Sequence, residues 1–221
     1  MELLPGLVLR RKDPNDKLKK LSSGAEQYNP LKTFAVKHAQ KYEDEGLSRT
    51  YILHDTDNGL IAGYITIVCS EVYLESDQDV GNQAEGLHYP YKHWPAIKIS
   101  RLLVDSRYRR EGDLWKEDTR IGEALVKFVI GVALEQICPA AGCRFAVLDA
   151  KKDAVGFYKK LGFRILDTEA NNALDAPVMF MDLLRADSSD TAITDQEAPE
   201  PHTSVANNNT LEPVDQTGVV A

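Results

Sequence analysis

The stretch from about residue 100 to residue 163 constrains this chain more than any other. It reads as an apolar strand over 97–104, a basic loop with a glycine, a long apolar helix, a second strand and a short helix. The strand empties into Arg107, Arg109, Arg110 and Gly112, and the helix opens at Ile121-Gly122. Backbone N–H groups in the first turn of a helix have no acceptor and point outward. Glycine lets an anion approach the main chain, and arginine adds charge and donors. The layout predicts a site for a phosphate-bearing cofactor.

The same residues resemble the GNAT superfamily of acetyl-CoA-dependent N-acetyltransferases. Its loop pattern, Arg/Gln-x-x-Gly-x-Gly/Ala, corresponds to Arg109-Arg110-Glu111-Gly112 and then Ile121-Gly122. Downstream, Asp149, Ala154, Phe157-Tyr158 and Leu161-Gly162-Phe163 match the D…A…FY…GF segment of that family. The chain departs from the pattern between the two glycines, where nine residues (113–121) replace one. The resemblance implies acetyl-CoA as co-substrate, held by Arg109, Arg110, Gly112, Ile121, Gly122 and Glu123 with Phe157 beside it. It also implies that the main chain of Leu102, Leu103 and Val104, splayed from the next strand, pairs with pantetheine and the acetyl oxygen.

Element order alone argues for an α/β fold with a mixed sheet. With the resemblance, the expectation is a mixed, mostly antiparallel sheet of about seven strands, helices on both faces. The fold is expected over 1–185. Residues 186–221 contain no Lys or Arg and few large apolar groups, so they cannot offset the entropy of ordering and are expected to be a disordered acidic tail. Removing its seven acids from the formal charge of −8 leaves about −1 for the rest. The tail is either an inert solubilising extension or a docking or autoinhibitory strip.

Three cysteines, Cys69, Cys138 and Cys143, are odd in number and sit in apolar contexts, which predicts a reducing, cytoplasmic compartment. No companion set makes Cys138 and Cys143 a metal site. No run is expected to span a membrane, and the first eleven residues lack the order of a secretory signal.

In chain order, a strand is predicted over 7–11. Leu31, Phe34, Ala35, His38 and Ala39 recur at helical spacing, predicting one helix over 30–45 that Gly46 ends, with His38 a core or boundary histidine rather than a ligand. Strands follow over 48–54 and 60–74, joined by a turn at Asn58-Gly59. The Ser48-Arg-Thr-Tyr51 segment and the Ile97–Leu102 run are similar to one branch of the superfamily. That branch holds toxins of bacterial toxin–antitoxin modules that acetylate the amino group of aminoacyl-tRNA. The resemblance covers roughly 25–184, and it leaves an antitoxin-like protein partner and a homodimer open.

Residues 75–95 form a long loop, where Tyr89, Tyr91, His93 and Trp94 either wall an acceptor or pack onto the sheet edge. The helix over 121–137 is apolar nearly all round and is expected between layers. A strand over 143–148 follows, and Asp149 is placed to cap a helix over 151–161. Strands over 164–166 and 178–184 complete the core.

Acyl transfer to an amine needs a polarised carbonyl, a neutral amine and a stabilised leaving thiolate. The resemblance gives the last task to Tyr158, whose phenol is a proton donor at neutral pH. Periodicity also permits Tyr158 merely to pack, because Ala154, Tyr158 and Leu161 share one helical face. Glu71 and Asp105 are candidate bases, neither compelling, so the base is unassigned. Cys69 is expected in the core rather than as a nucleophile.

The expected activity is direct transfer of acetyl from acetyl-CoA to a primary amine on a small molecule, a protein or aminoacyl-tRNA. The competing reading is a CoA-sensing module that regulates a partner without catalysis, to which the long insert lends support. A cluster comprising Lys12, Lys17, Lys19, Lys20, Lys32, Lys37 and Arg49 is either a nucleic-acid face or a solvated surface. A dinucleotide fold is excluded, since no G-x-G-x-x-G follows an early strand.

Overall fold

β-Branched and aromatic residues concentrate in eight segments that pair as strands in the computed structural model of the protein. These are Glu2–Leu4 (β1), Leu7–Arg11 (β2), Arg49–Asp55 (β3), Leu60–Tyr73 (β4), His93–Val104 (β5), Phe145–Asp149 (β6), Arg164–Ile165 (β7) and Val178–Asp182 (β8). The helices are Asn29–Lys37 (α1), Ala39–Asp44 (α2), Ile121–Val132 (α3), Cys138–Ala141 (α4), Val155–Lys160 (α5), Glu169–Asn172 (α6) and Leu183–Ala186 (α7). The structure describes residues 2–4, 6–74, 92–115, 120–166 and 168–186. Tyr89 and Tyr91, residues 116–119 of the insert and the acidic tail from residue 187 onward fall outside the described residues.

The strands form one sheet in the order β1-β2-β3-β4-β5-β6-β8-β7, which is one strand more than expected because the short β1 adds to the edge. Every pairing is antiparallel except β5 with β6. Period-two alternation assigns each strand's residues to opposite layers. Ile65, Ile97, Ile99, Ala146 and Leu148 lie under Ile121, Leu125 and Val129 of α3. Ile52, Tyr64 and Leu103 on the other face lie under Phe34, Ala35 and Ala39 of α1 and α2. Leu125, Val126 and Val129 are essentially fully buried, each contributing about 1.5–3 kcal/mol by transfer from water.

Several local expectations are corrected. The helix expected over 30–45 breaks at His38 (φ −122°, ψ −29°) into α1 and α2. His38 itself is exposed, in ring contact with Phe34 and Tyr42. Helix α3 buries one face on the sheet and leaves Phe128, Ile130 and Leu134 half-buried, so it is an outer helix rather than one held between layers. It runs on through a single π turn, Ala133–Ile137, into α4. Within the continuous run Ile121–Ala141 an 18-residue window has mean hydropathy 1.6, long and apolar enough to cross a membrane by length and composition alone. In this fold it is the cover of the sheet. Cys69 is exposed on β4, not in the core.

The feature that makes room for a site is the separation of β5 from β6. Their parallel pairing covers only Ala96 with Phe145, Ile97 with Ala146 and Lys98 with Val147. Two residues further on, the β4–β5 ladder slips: Ile67 pairs with Ile99 and Thr66 with Arg101, so Ser100 is the extra residue of a bulge. A bulge bends its strand and increases its twist. Strand β5 thereby turns away from β6, and among the described residues its residues 99–104 have no strand partner on that side.

Candidate active site

Two clefts open on the wedge between β5 and β6. One, of about 730 Å³, is lined by Leu102, Leu103, Val104, Arg109, Arg110, Ile121, Gly122, Glu123, Phe157 and Tyr158, together with Trp115, Arg120 and Lys160. The other, of about 860 Å³, is lined by Phe34, His38, Tyr42, Ser100, Arg101, Asp149 and Asp153 among others. Tyr28, Leu31, Leu102, Ala154 and Tyr158 line both. The structure therefore brings together every proposed cofactor residue except Gly112, and it adds Arg120, Trp115 and Lys160, which the motif does not mark.

The first turn of α3 supplies open donors. Its N-cap, Arg120, makes no side-chain cap, and the first intrahelical bond runs from the Ala124 N–H to the Arg120 carbonyl. The N–H groups of Ile121, Gly122 and Glu123 thus lack helical acceptors at the cleft wall. The Glu123 carboxylate is drawn off to Lys127 (2.8 Å) and Arg120 (3.4 Å). A Cβ on Gly122 would sit 3.3 Å from Phe157 Cζ and 3.6 Å from Val104 Cγ2, so a larger side chain there intrudes between helix and cleft.

The basic loop divides its labour differently from the sequence expectation. Arg107 forks onto Asp105, with Nε to Oδ1 at 2.9 Å and Nη2 to Oδ2 at 2.6 Å, and it also donates to the Lys20 carbonyl. Asp105 is fully buried and accepts further bonds from the Ser22 and Arg107 N–H groups. Burial pushes this carboxyl toward its neutral form, but Arg107 and the backbone donors outweigh that and hold it below the ordinary carboxylate range. An acid so held is no general base. Arg109 donates from Nε (3.0 Å) and Nη2 (2.7 Å) to the Val104 carbonyl, and its guanidinium lies 5.2 Å from the Tyr28 ring. It braces the end of β5. Arg110, which makes no ion pair among the described residues, is the loop arginine left for an anion, joined by Arg120 and Lys160.

Gly112 serves the turn itself. A Cβ there would lie 2.2 Å from the Arg107 carbonyl oxygen, and its N–H donates to the Arg109 carbonyl. The preceding Glu111 has φ +77°, an uncommon left-handed conformation for a side chain of this kind. The loop is tight where the motif's first glycine stands, and the open donors belong to α3.

Tyr158 stands where the clefts meet. Its ring packs against Phe157 (4.9 Å) and Phe163 (5.8 Å), so the packing role and the cleft position coexist. The hydroxyl makes no hydrogen bond among the described residues, and burial pushes the phenol up to about 12. At neutral pH it keeps its proton. Asp149 does not cap α5; it pairs at 2.6 Å with Lys98, whose partner in the last rung of the β5–β6 ladder is Val147. Glu71 is at the far end of β4, bonded to His93 Nδ1 at 2.8 Å, and lines neither cleft. Trp94 is buried against Phe145 (5.8 Å), and His93 is exposed beside Tyr73. Of the aromatic residues proposed as an acceptor wall, these two sit at the start of the internal strand β5 and line neither cleft.

A crossbar spans the two clefts. Tyr28 Oη donates to Asp153 Oδ2 at 2.5 Å, and Lys151 Nζ donates to the Gln27 carbonyl at 2.8 Å. No sequence signal marks Tyr28, since its hydrogen-bond partner Asp153 lies 125 residues away.

No protein-family model matches the chain, and no curated protein sequence does. Solved structures do. AtaT complexed with acetyl-methionyl-tRNAfMet superposes with a TM-score of 0.65 at 22% identity, over 84% of this chain and 99% of that one. A tyrosine-to-phenylalanine variant of KacT gives 0.65 and 22%, over 83% and 98%. AtaTR bound with AcCoA gives 0.63 and 22%, over 85% and 100%. The chain therefore shares the GNAT fold of AtaT and KacT.

Proposed function

We propose that the chain transfers acetyl from acetyl-CoA directly to the primary amine of an acceptor. The observation that carries this reading is the position of Tyr158, a buried donor with an uncommitted hydroxyl at the junction of two clefts. The pyrophosphate of CoA is assigned to the α3 N–H groups with Arg110, Arg120 and Lys160. The thioester arm is assigned to the unpaired edge of β5 at Leu102–Val104. From the other cleft, a neutral amine attacks the thioester carbon. The C–N bond forms and the C–S bond breaks. The departing thiolate takes the Tyr158 proton, the amine loses its proton to solvent, and solvent reprotonates the phenol.

The finer reading of the acceptor is the amino group of an aminoacyl-tRNA, with an antitoxin-like protein as regulator. It is supported by the coverage of nearly all of AtaT, which has been solved with acetyl-methionyl-tRNAfMet and with the C-terminus of the antitoxin AtaR. The CoA-sensing alternative draws on Arg109 and Gly112, both committed to internal bonds. Incubation with labelled acetyl-CoA and charged tRNA, beside a panel of free amines, separates the readings. Label in the charged tRNA supports the finer one, label only in free amines keeps the acetyltransferase alone, and CoA binding without transfer favours the sensor.

The cofactor assignment has its own test. Gly122→Leu is expected to abolish measurable acetyl-CoA binding by calorimetry, because the added side chain meets Phe157. Arg110→Ala is expected to cost about 1–3 kcal/mol of CoA affinity with unchanged melting temperature, as for a lost charge-assisted contact. Arg109→Ala is expected to lower the melting temperature instead. Unchanged CoA affinity in both Gly122→Leu and Arg110→Ala overturns the assignment.

A further inference from the structure

Strand alternation carried straight through β5 from Ile97 and Ile99 puts Arg101 on the α3 face and Leu102 on the α1 face. The bulge at Ser100 reverses this. Past it, Leu102 and Val104 pack toward α3, while Leu103 joins the layer under α1. Arg101 follows Leu103, and its guanidinium stacks 5.2 Å from the Phe34 ring. An exposed arginine is thereby delivered into the cleft opposite the cofactor side and held there by an aromatic face, which limits the entropy it loses on binding.

Among the described residues no carboxylate pairs with Arg101; its guanidinium bonds only its own strand, at the Ser100 carbonyl. The carboxylates lining the same cleft are committed elsewhere, Asp149 to Lys98 at 2.6 Å and Asp153 to the Tyr28 hydroxyl at 2.5 Å. A planar, fixed, unpaired guanidinium is suited to bidentate recognition of an oxyanion.

We propose that Arg101 is the specificity-determining residue for the acceptor and binds an oxyanion, a carboxylate or a phosphate, carried by the same molecule as the reacting amine. The role as acceptor anchor rests on the acetyltransferase reading; the anion site does not. The acceptor is thus bipolar, its amine directed to Tyr158 and its anion to Arg101. An aminoacyl-tRNA supplies a phosphodiester close to the aminoacyl ester, whereas a free amino acid supplies its own carboxylate.

The test compares the full chain with Arg101→Gln and Arg101→Lys on a charged tRNA, the free amino acid and the neutral amino-acid amide. Arg101→Gln is expected to raise KM on the order of 10- to 100-fold for the anionic acceptor, to leave the amide unchanged, and to leave acetyl-CoA affinity intact. Arg101→Lys is expected to recover part of the loss. A loss confined to charged tRNA identifies the phosphate, and one confined to the free amino acid identifies the carboxylate. Equal losses on the amide and the anionic acceptors mean that Arg101 only packs on Phe34, and overturn the proposal. Calorimetry with the trinucleotide cytidylyl-cytidylyl-adenosine and with N-acetylmethionine needs no turnover. If the wild type transfers acetyl to nothing, the acetyltransferase reading fails, yet at least tenfold weaker binding of either probe to Arg101→Gln sustains the anion site. Equal binding, or none, by both proteins overturns it.

Discussion

Replacing Tyr158 by phenylalanine is expected to lower kcat by about 10²–10⁴-fold while acetyl-CoA affinity and melting temperature stay near wild type. The variant keeps the ring contacts to Phe157 and Phe163 and removes only the hydroxyl, which has no hydrogen bond to lose among the described residues. A loss in kcat without a loss in cofactor binding is the signature of a group that acts as the thiolate forms. Burial raises the Tyr158 phenol to about 12, above its ordinary value near 10. A group raised in this way keeps its proton, and any stability linked to that proton, through the neutral range and loses both only as pH climbs through the raised value. The wild-type rate should therefore rise as the acceptor amine deprotonates and show no falling limb from Tyr158 below about pH 11. A phenylalanine variant that turns over like wild type leaves Tyr158 with a packing role alone.

Asp105→Asn is the second large effect, and it falls on stability. The carboxylate is fully buried and gathers Arg107, the Ser22 N–H and the loop N–H of Arg107. Removing its charge strands a guanidinium beside a buried amide. Breaking a buried pair costs about 3–5 kcal/mol, and the lower end is expected because Arg107 retains 29% side-chain exposure and can turn to water. The Asp105 carboxyl is held below its ordinary range, so its contribution is complete above about pH 4 to 5 and is lost as pH falls through the lowered folded value. Urea denaturation at neutral pH should show the loss, and the gap between wild type and variant should narrow in acid. CoA affinity should weaken as well, since the same network sets the course of the loop. A variant as stable as wild type at neutral pH would show that Arg107 and Ser22 find other partners.

Much of the fold is legible from local chemistry. Alternation places β2 over Leu7–Arg11 to the residue, and Asn58-Gly59 turns β3 into β4 as its backbone preference requires. The apolar run opening at Ile121 yields α3, and the motif around Phe157-Tyr158 leads to the junction of the clefts. These features depend on neighbours within a few residues. His38 and Cys69 were misplaced because an apolar pattern shows which face is apolar and not where a helix breaks or where a sheet lies open.

The sequence by itself determined that an apolar strand, an anion-ready helix start and a tyrosine-bearing helix follow one another in a mixed α/β chain. Those are properties of spacing and propensity, written over a turn of helix or a pair of strand residues. Only the tertiary structure decided what each basic residue does. Arg107 is taken by a carboxylate two residues away that also anchors Ser22, 83 positions back in the chain. Arg109 is taken by a carbonyl at the end of β5, while Arg110 is left at the cleft. The bulge that swings Arg101 to the acceptor side is equally invisible in the sequence, because it exists only as a mismatch between two strands. Side-chain alternation is set within a strand, but register, and so the face each residue finally presents, is set by the partner it pairs with.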